Sequence, residues 1–124
     1  MKVTLKQIRE SAGAMARLAN AQGLPVKKAY WLGRITDQIE PELQRVEKQR
    51  VALIKKHTGD RDGAQPWPDE AVEAFEAEFF DFLNTEIEIH DLALSLDDVS
   101  PANLSALDIR ALEYLITPPT DGDG

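Results

Sequence analysis

The sequence contains no cysteine. Disulfide staples, thiolate zinc sites and cysteine nucleophiles are therefore excluded together, and stability has to come from packing. Long apolar runs are missing as well: no stretch approaches the roughly 18 to 20 residues of a membrane-crossing helix. The opening Met1-Lys2-Val3-Thr4-Leu5-Lys6 lacks the apolar segment of about 7 to 15 residues that a signal peptide carries. The expectation is a chain that stays in the compartment where it is made. No Gly-rich phosphate loop, nucleophile elbow, paired-histidine zinc helix or dinucleotide fingerprint occurs. The reading is therefore of a protein that is not an enzyme, with no catalytic residue, metal or cofactor implied.

What remains is a chain of 124 residues, 43% of them apolar, which suffices for one core and not for two. One domain is expected over residues 1–116, followed by a flexible tail at 117–124 that has no apolar periodicity. The formal charge of −8 conceals a division. Residues 1–57 hold 12 Lys and Arg against 5 Asp and Glu, a balance of +7, and residues 58–124 hold 2 against 17, a balance of −15. Such asymmetry fits a charged partner, or two halves that neutralise each other inside the fold; the second is the simpler reading.

Leu5, Ile8, Ala12, Met15 and Ala19 recur at spacings of three and four and predict a first helix over about residues 5–21. Thr4 with Gln7 three residues on forms a capping box, and Gly23 followed by Pro25 supplies the stop. A second helix is predicted from Val26 to His57 on the seam Leu32, Ile35, Ile39, Leu43, Val46, Leu53 and His57, with Arg50 its one charge. Pro41 should kink or break it between Asp37 and Glu40. The segment Thr58 to Pro68 is dense in turn formers and reads as the main loop. Asp69 would cap a third helix over about residues 70–84, carrying Val72, Phe75, Phe79 and Phe82, with Phe80 and Leu83 widening the apolar face.

After Asn84 the period changes to alternation. Ile87 and Ile89 stand opposite Glu86, Glu88 and His90, and Leu92, Leu94 and Leu96 follow, so a short strand pair or one bent strand is expected, with its bend at His90 and Asp91. Ser100-Pro101 then opens a short helix carrying Leu104 and Leu107, and Asp108 would cap a last turn that sends Leu112 and Leu115 inward. The fold class is mainly α: an antiparallel helical hairpin plus the N-terminal helix as a three-helix core, with a short β segment and a C-terminal short helix.

Few residues invite a chemical role. Asp60, Asp62, Gly63 and Asp69 echo part of a calcium loop, but Thr58 replaces its first ligand and Asp69 its closing Glu, so a turn at Asp62-Gly63 is the better account. Glu86, Glu88 and His90 share a strand face that would suit a divalent metal or proton exchange, although any amphipathic strand produces such a row on its wet side. His57 ends a helix, where a cationic imidazole is favoured without a ligand. Lys27, Lys28, Arg34, Arg45, Lys48, Arg50, Lys55 and Lys56 give the second helix a basic character, yet the acidic whole argues against nucleic acid. Trp31 reads as core edge, and Trp67, between Pro66 and Pro68, is either a lid over the helices or an anchor for a partner.

Val3-Thr4-Leu5-Lys6-Gln7-Ile8, Leu24-Pro25-Val26-Lys27-Lys28-Ala29-Tyr30, Glu40-Pro41-Glu42-Leu43, Asn84-Thr85-Glu86-Ile87-Glu88-Ile89 and Ser100-Pro101-Ala102-Asn103-Leu104 follow one another in an order that resembles a family of small phage-encoded proteins of unknown function. The resemblance spans about residues 3–116, is one of layout, and carries no functional residues. It implies a phage context, in the host cytoplasm or the virion, and favours structural, assembly and host-takeover roles. The expected function is protein-protein interaction, with itself or a larger virion protein and without a membrane. A helix face or the Glu86 to Leu96 strand edge would carry it, and the candidate interface is Trp67, Glu86, Ile87, Glu88, Ile89, His90, Leu92 and Leu94. The alternative is a soluble inhibitor of a nucleic-acid-binding host protein, acting through Asp69, Glu70, Glu73, Glu76, Glu78 and Asp81.

Overall fold

The computed structural model describes residues 1–59 and 67–116. The tail expected from Thr117, and Asp60, Asp62 and Gly63 of the calcium-like spacing, lie outside them. The protein is mainly α. Strand β1 (Lys2–Thr4) leads into α1 (Leu5–Ala19), then come the long α2 (Val26–Thr58), α3 (Asp69–Leu83), strand β2 (Glu86–Glu88) and two short helices, α4 (Leu96–Val99) and α5 (Ala106–Ala111). A 3-10 turn at Ser100–Ala102 follows α4.

Helix α1 starts as its capping box dictates. Thr4 Oγ1 accepts the Gln7 N–H at 3.1 Å, and Gln7 Oε1 accepts the Thr4 N–H at 2.8 Å. The helix ends earlier than Gly23 suggests, at Asn20, whose side-chain amide donates to the Ala16 carbonyl. Its buried face is also rotated from the expected stripe. Leu5, Ile8 and Met15 are buried, but Ser11, Ala14 and Leu18 join them, while Ala12 is half-buried and Ala19 exposed. The reason is that α1 is covered twice, by α2 and by the C-terminal α5. Ser11 is tolerated in the core because its hydroxyl has partners, the Ile8 carbonyl and the Tyr114 hydroxyl at 2.7 Å.

Of the expected kink or break at Pro41, the break does not occur: α2 runs as one helix through it. Pro41 is exposed, and so is Asp37, whose carbonyl loses its intrahelical donor. Leu32, Ile35, Ile39 and Val46 are buried along the predicted seam, and Leu43, Arg50, Leu53 and His57 are half-buried. Helices α2 and α3 pack as a hairpin, and α1 lies against both. Asp69 does not cap α3. Pro68 holds the cap position, and Asp69 and Glu70 occupy the first turn, where their charge suits the helix N-terminus. Phe79 and Leu83 are buried, Phe75 and Phe82 half-buried, and Phe80, expected to widen the apolar face, is exposed.

The alternating segment forms a sheet with a different partner from the expected one. Leu92 to Leu96 make no second strand. Instead β2 pairs antiparallel with β1, Lys2 against Glu88, Val3 against Ile87 and Thr4 against Glu86. Leu94 forms an isolated parallel bridge to Ile116, its N–H donating to the Leu115 carbonyl at 2.7 Å. The shift of apolar parity is resolved by ending the strand: Ile89 and Leu94 are both buried, on either side of an irregular stretch that includes His90 and Asp91.

Ser100-Pro101 does open a helical turn, but one of three residues that ends before Leu104, and the helix starts on either side of it, including the cap expected at Asp108, are set by one motif used twice. Ser95 caps α4 and Ser105 caps α5, each accepting the N–H of an Asp three residues on, Asp98 or Asp108, whose carboxylate returns a bond to the serine N–H. Asp108 is thus the third residue of its helix. Leu112 and Leu115 are buried as expected, but Leu107 is among the most exposed apolar side chains. The core collects side chains from nearly every element, including Val3, Ile8, Leu18, Leu32, Ile35, Leu94, Leu112 and Leu115. Truncating Leu94 to Ala should cost about 2–5 kcal/mol in a urea titration. Leu107→Ala should stay within about 0.5 kcal/mol, and equal losses at the two positions would contradict this placement of the core.

Candidate interaction surface

The strand segment proposed as an interface gives most of its apolar side chains to the interior. Of the candidate residues on it, Ile89 and Leu94 are buried, Ile87, His90 and Leu92 half-buried, and only Glu86 and Glu88 exposed. One edge of β2 is already filled. Met1 and Ile89 exchange hydrogen bonds, the Met1 amino group donating to the Ile89 carbonyl at 2.7 Å and the Ile89 N–H to the Met1 carbonyl at 2.9 Å. By the alternation of antiparallel ladders, Val3 and Ile87 form the next bonded pair, so Glu86 and Glu88 aim their backbone groups at the other edge. There His90 would be the next free donor, but its N–H donates to Gln38 Oε1 at 2.9 Å. The free edge is thus two residues long, which is little for a partner strand.

Glu86, Glu88 and His90 do not converge, and among the described residues no three His, Asp or Glu side chains are grouped to hold a metal ion. The His90 ring lies edge-on to Trp31, with centroids 5.3 Å apart. His57 is half-buried with Nε2 3.2 Å from Glu78. Trp67 is half-buried and stands edge-on to Phe75 at 5.6 Å.

The surface that sequence reasoning missed is the head of α2. Val26 is 85% exposed, Tyr30 59% and Trp31 43%, and the Tyr30 and Trp31 rings meet edge-on at 5.4 Å. Val26 and Tyr30 lie one turn apart on the side away from the Leu32, Ile35 and Ile39 seam, and Trp31 borders that seam. Lys27 and Arg34, also exposed, flank the group without an ion-pair partner among the described residues. The available signal was the phase of the helix: Tyr30 falls off the seam by more than a quarter turn.

The charge asymmetry resolves inside the fold. Among the described residues, every ion pair joining two different elements takes its cation from residues 1–57 and its anion from residues 58–124. Arg17 meets Asp108, Lys28 meets Asp98, Lys56 and His57 meet Glu78, and the Met1 amino group meets Glu88 and Asp91. Arg17 grips Asp108 with two nitrogens, Nε at 3.0 Å and Nη2 at 2.5 Å, the fork geometry in which guanidinium binds carboxylate most specifically. That contact is the main reason the Asp108 carboxyl is held below its ordinary range; the Lys28 ammonium does the same for Asp98, and Lys56 for Glu78. Burial pushes the Tyr114 hydroxyl up, against the lowering effect of Ser11.

Carboxyls whose folded pKa is depressed add stability above their unfolded pKa and lose it as pH falls through the folded value. The protein should therefore lose stability on acidification from the ordinary carboxyl range, about pH 4, downward. Asp108→Asn should melt below the parent at pH 7, with the difference shrinking as acid protonates Asp108 in the parent; a constant difference across that range would exclude the pairing as its source. Compared with protein families, curated proteins and solved structures, the chain matches none.

Proposed function

We propose that this chain is a non-enzymatic phage structural or assembly protein that works by docking onto a larger protein through the head of α2. The observation that supports this is the exposed group Val26, Tyr30 and Trp31. Large amphipathic rings are the side chains that dominate protein interfaces, and here they keep their apolar area in water. The flanking Lys27 and Arg34 define the partner by complementarity: an apolar groove with an acidic rim. The phage context rests on the layout resemblance. Among the described residues no helix is long and apolar enough to cross a membrane, which fits a protein-facing role.

A second reading has one observation in its favour. Asp69, Glu70, Glu73, Glu76 and Asp81 line α3, exposed and without ion-pair partners among the described residues, as a mimic of a phosphate backbone would be. Glu78 is drawn out of that row by Lys56 and His57.

Gradient sedimentation of lysates from the native host, with the chain traced by antibody, separates these readings. The docking proposal expects the protein in large assemblies and the double variant Tyr30→Ser/Trp31→Ser displaced to the top of the gradient, with an unchanged circular dichroism spectrum. Wild-type protein sedimenting only as a small free species, or a variant still held in the assemblies, would overturn it. Release by charge reversal on α3 instead would favour the acidic mimic.

A further inference from the structure

Four glycines lie among the described residues, and three of them have a use inside the chain. Gly23 and Gly59 take positive φ, 90° and 64°, a backbone conformation that side chains resist. Gly13 of α1 lies under Arg17, whose guanidinium passes 3.7 Å from where a Cβ would stand and goes on to grip Asp108. Gly33 of α2 has no such use. It is exposed, its backbone is helical, and a Cβ there would meet nothing within 4 Å beyond its own stretch of helix backbone and the two adjoining residues. Glycine inside a helix is less favourable than alanine, because its backbone loses more freedom on folding. The fold by itself would gain from alanine at 33, so any use of the missing methyl group lies outside the chain.

The surroundings of Gly33 say what comes close to it. Val26, Tyr30 and Arg34 follow one another at intervals of four and make a ridge along the head of α2. Ala29 and Gly33, also four apart and both exposed, make the groove beside that ridge. A row of side chains on another helix packs into a groove of this kind, and a bare Cα at its floor lets the two backbones approach most closely. Lys27 and Arg34 flank the contact, exposed and without an ion-pair partner among the described residues. The row that begins with Ala29 and Gly33 ends at Asp37, where the sign of the charge also turns. We infer that a helix of the larger partner protein crosses α2 at Gly33, its backbone nearest there and its acidic side chains turned toward Lys27 and Arg34. The inference rests on docking by the head of α2 and names the element that docks. The exposed rings supply apolar area to any partner; the groove at Gly33 selects one whose helix fits it.

Three variants test this. Gly33→Ala and Gly33→Leu keep the helix and fill the groove, and Gly13→Ala makes the smaller change on α1, away from the head of α2. Purified Gly33→Ala should melt about 2–5 °C above the parent, as helix propensity dictates. In gradient-sedimented lysates of the native host, with the chain traced by antibody, Gly33→Ala should lower the ratio of assembly-bound to free chain about fivefold or more, because a methyl group has no room in a close-packed contact. Gly33→Leu should leave the chain at the top of the gradient, and Gly13→Ala should sediment as the parent does. A Gly33→Ala protein that melts below the parent would show that the fold itself uses the glycine, and would overturn the inference. So would displacement by Gly13→Ala equal to that by Gly33→Ala. Gly33→Leu held in the assemblies while Tyr30→Ser/Trp31→Ser leaves them would also overturn it, with docking by the rings intact; both held would remove docking by the head of α2 as well.

Discussion

The arrangement of this protein depends on attraction between its two oppositely charged halves, concentrated in the contact of Arg17 with Asp108. Hydrophobic burial is non-directional: it favours covering α1 and α2 but does not say which segment should cover them, or in what register. The C-terminal third is made of short pieces, α4 and α5 among them, that are too brief to hold helical form alone. Each is fixed by a carboxylate used twice. Asp98 and Asp108 close a capping box with the serine before their helix and, with the same oxygens, meet a cation on a distant helix. Local order and tertiary position are thereby coupled in one side chain, and losing the carboxylate loosens both.

The same logic explains why so small a β element persists. A two-stranded ribbon of three residues per strand is marginal in water. Here it is braced at both ends, by the capping box that begins α1 directly after Thr4 and by the Met1 to Ile89 exchange beyond Glu88. Val3 and Ile89 are buried beneath it, so the ribbon closes one end of the helical core and the attraction of an open edge for outside strands is largely spent within the chain.

What is left over at the surface is distributed unevenly, and that distribution bears on function. Cations of the basic half meet anions of the acidic half where elements pack together, while the head of α2 retains apolar rings beside cations that have no ion-pair partner among the described residues. A charge that pairs internally positions an element; one that remains unpaired beside exposed apolar area selects what docks there.

The sequence by itself determined the helices, because periodicity, capping and breakers are local properties. The Thr4 and Gln7 box, the α2 seam from Leu32 to Val46, the Phe79 and Leu83 face and the mainly α class were all legible, and the spacings Ser95 to Asp98 and Ser105 to Asp108 would have placed the last two helix starts had they been read as capping boxes. The tertiary structure alone decided which flank of each helix is dry. Ser11 is buried and Ala19 exposed because α5 arrives on one side of α1, and Tyr30 and Phe80 are wet because no described element covers them. The pairing of Lys2–Thr4 with Glu86–Glu88 joins residues more than 80 apart, and a three-residue strand carries too little pattern to name its partner. Burial is a property of neighbours, and neighbours distant in sequence are set by the sum of many weak contacts that no local pattern contains.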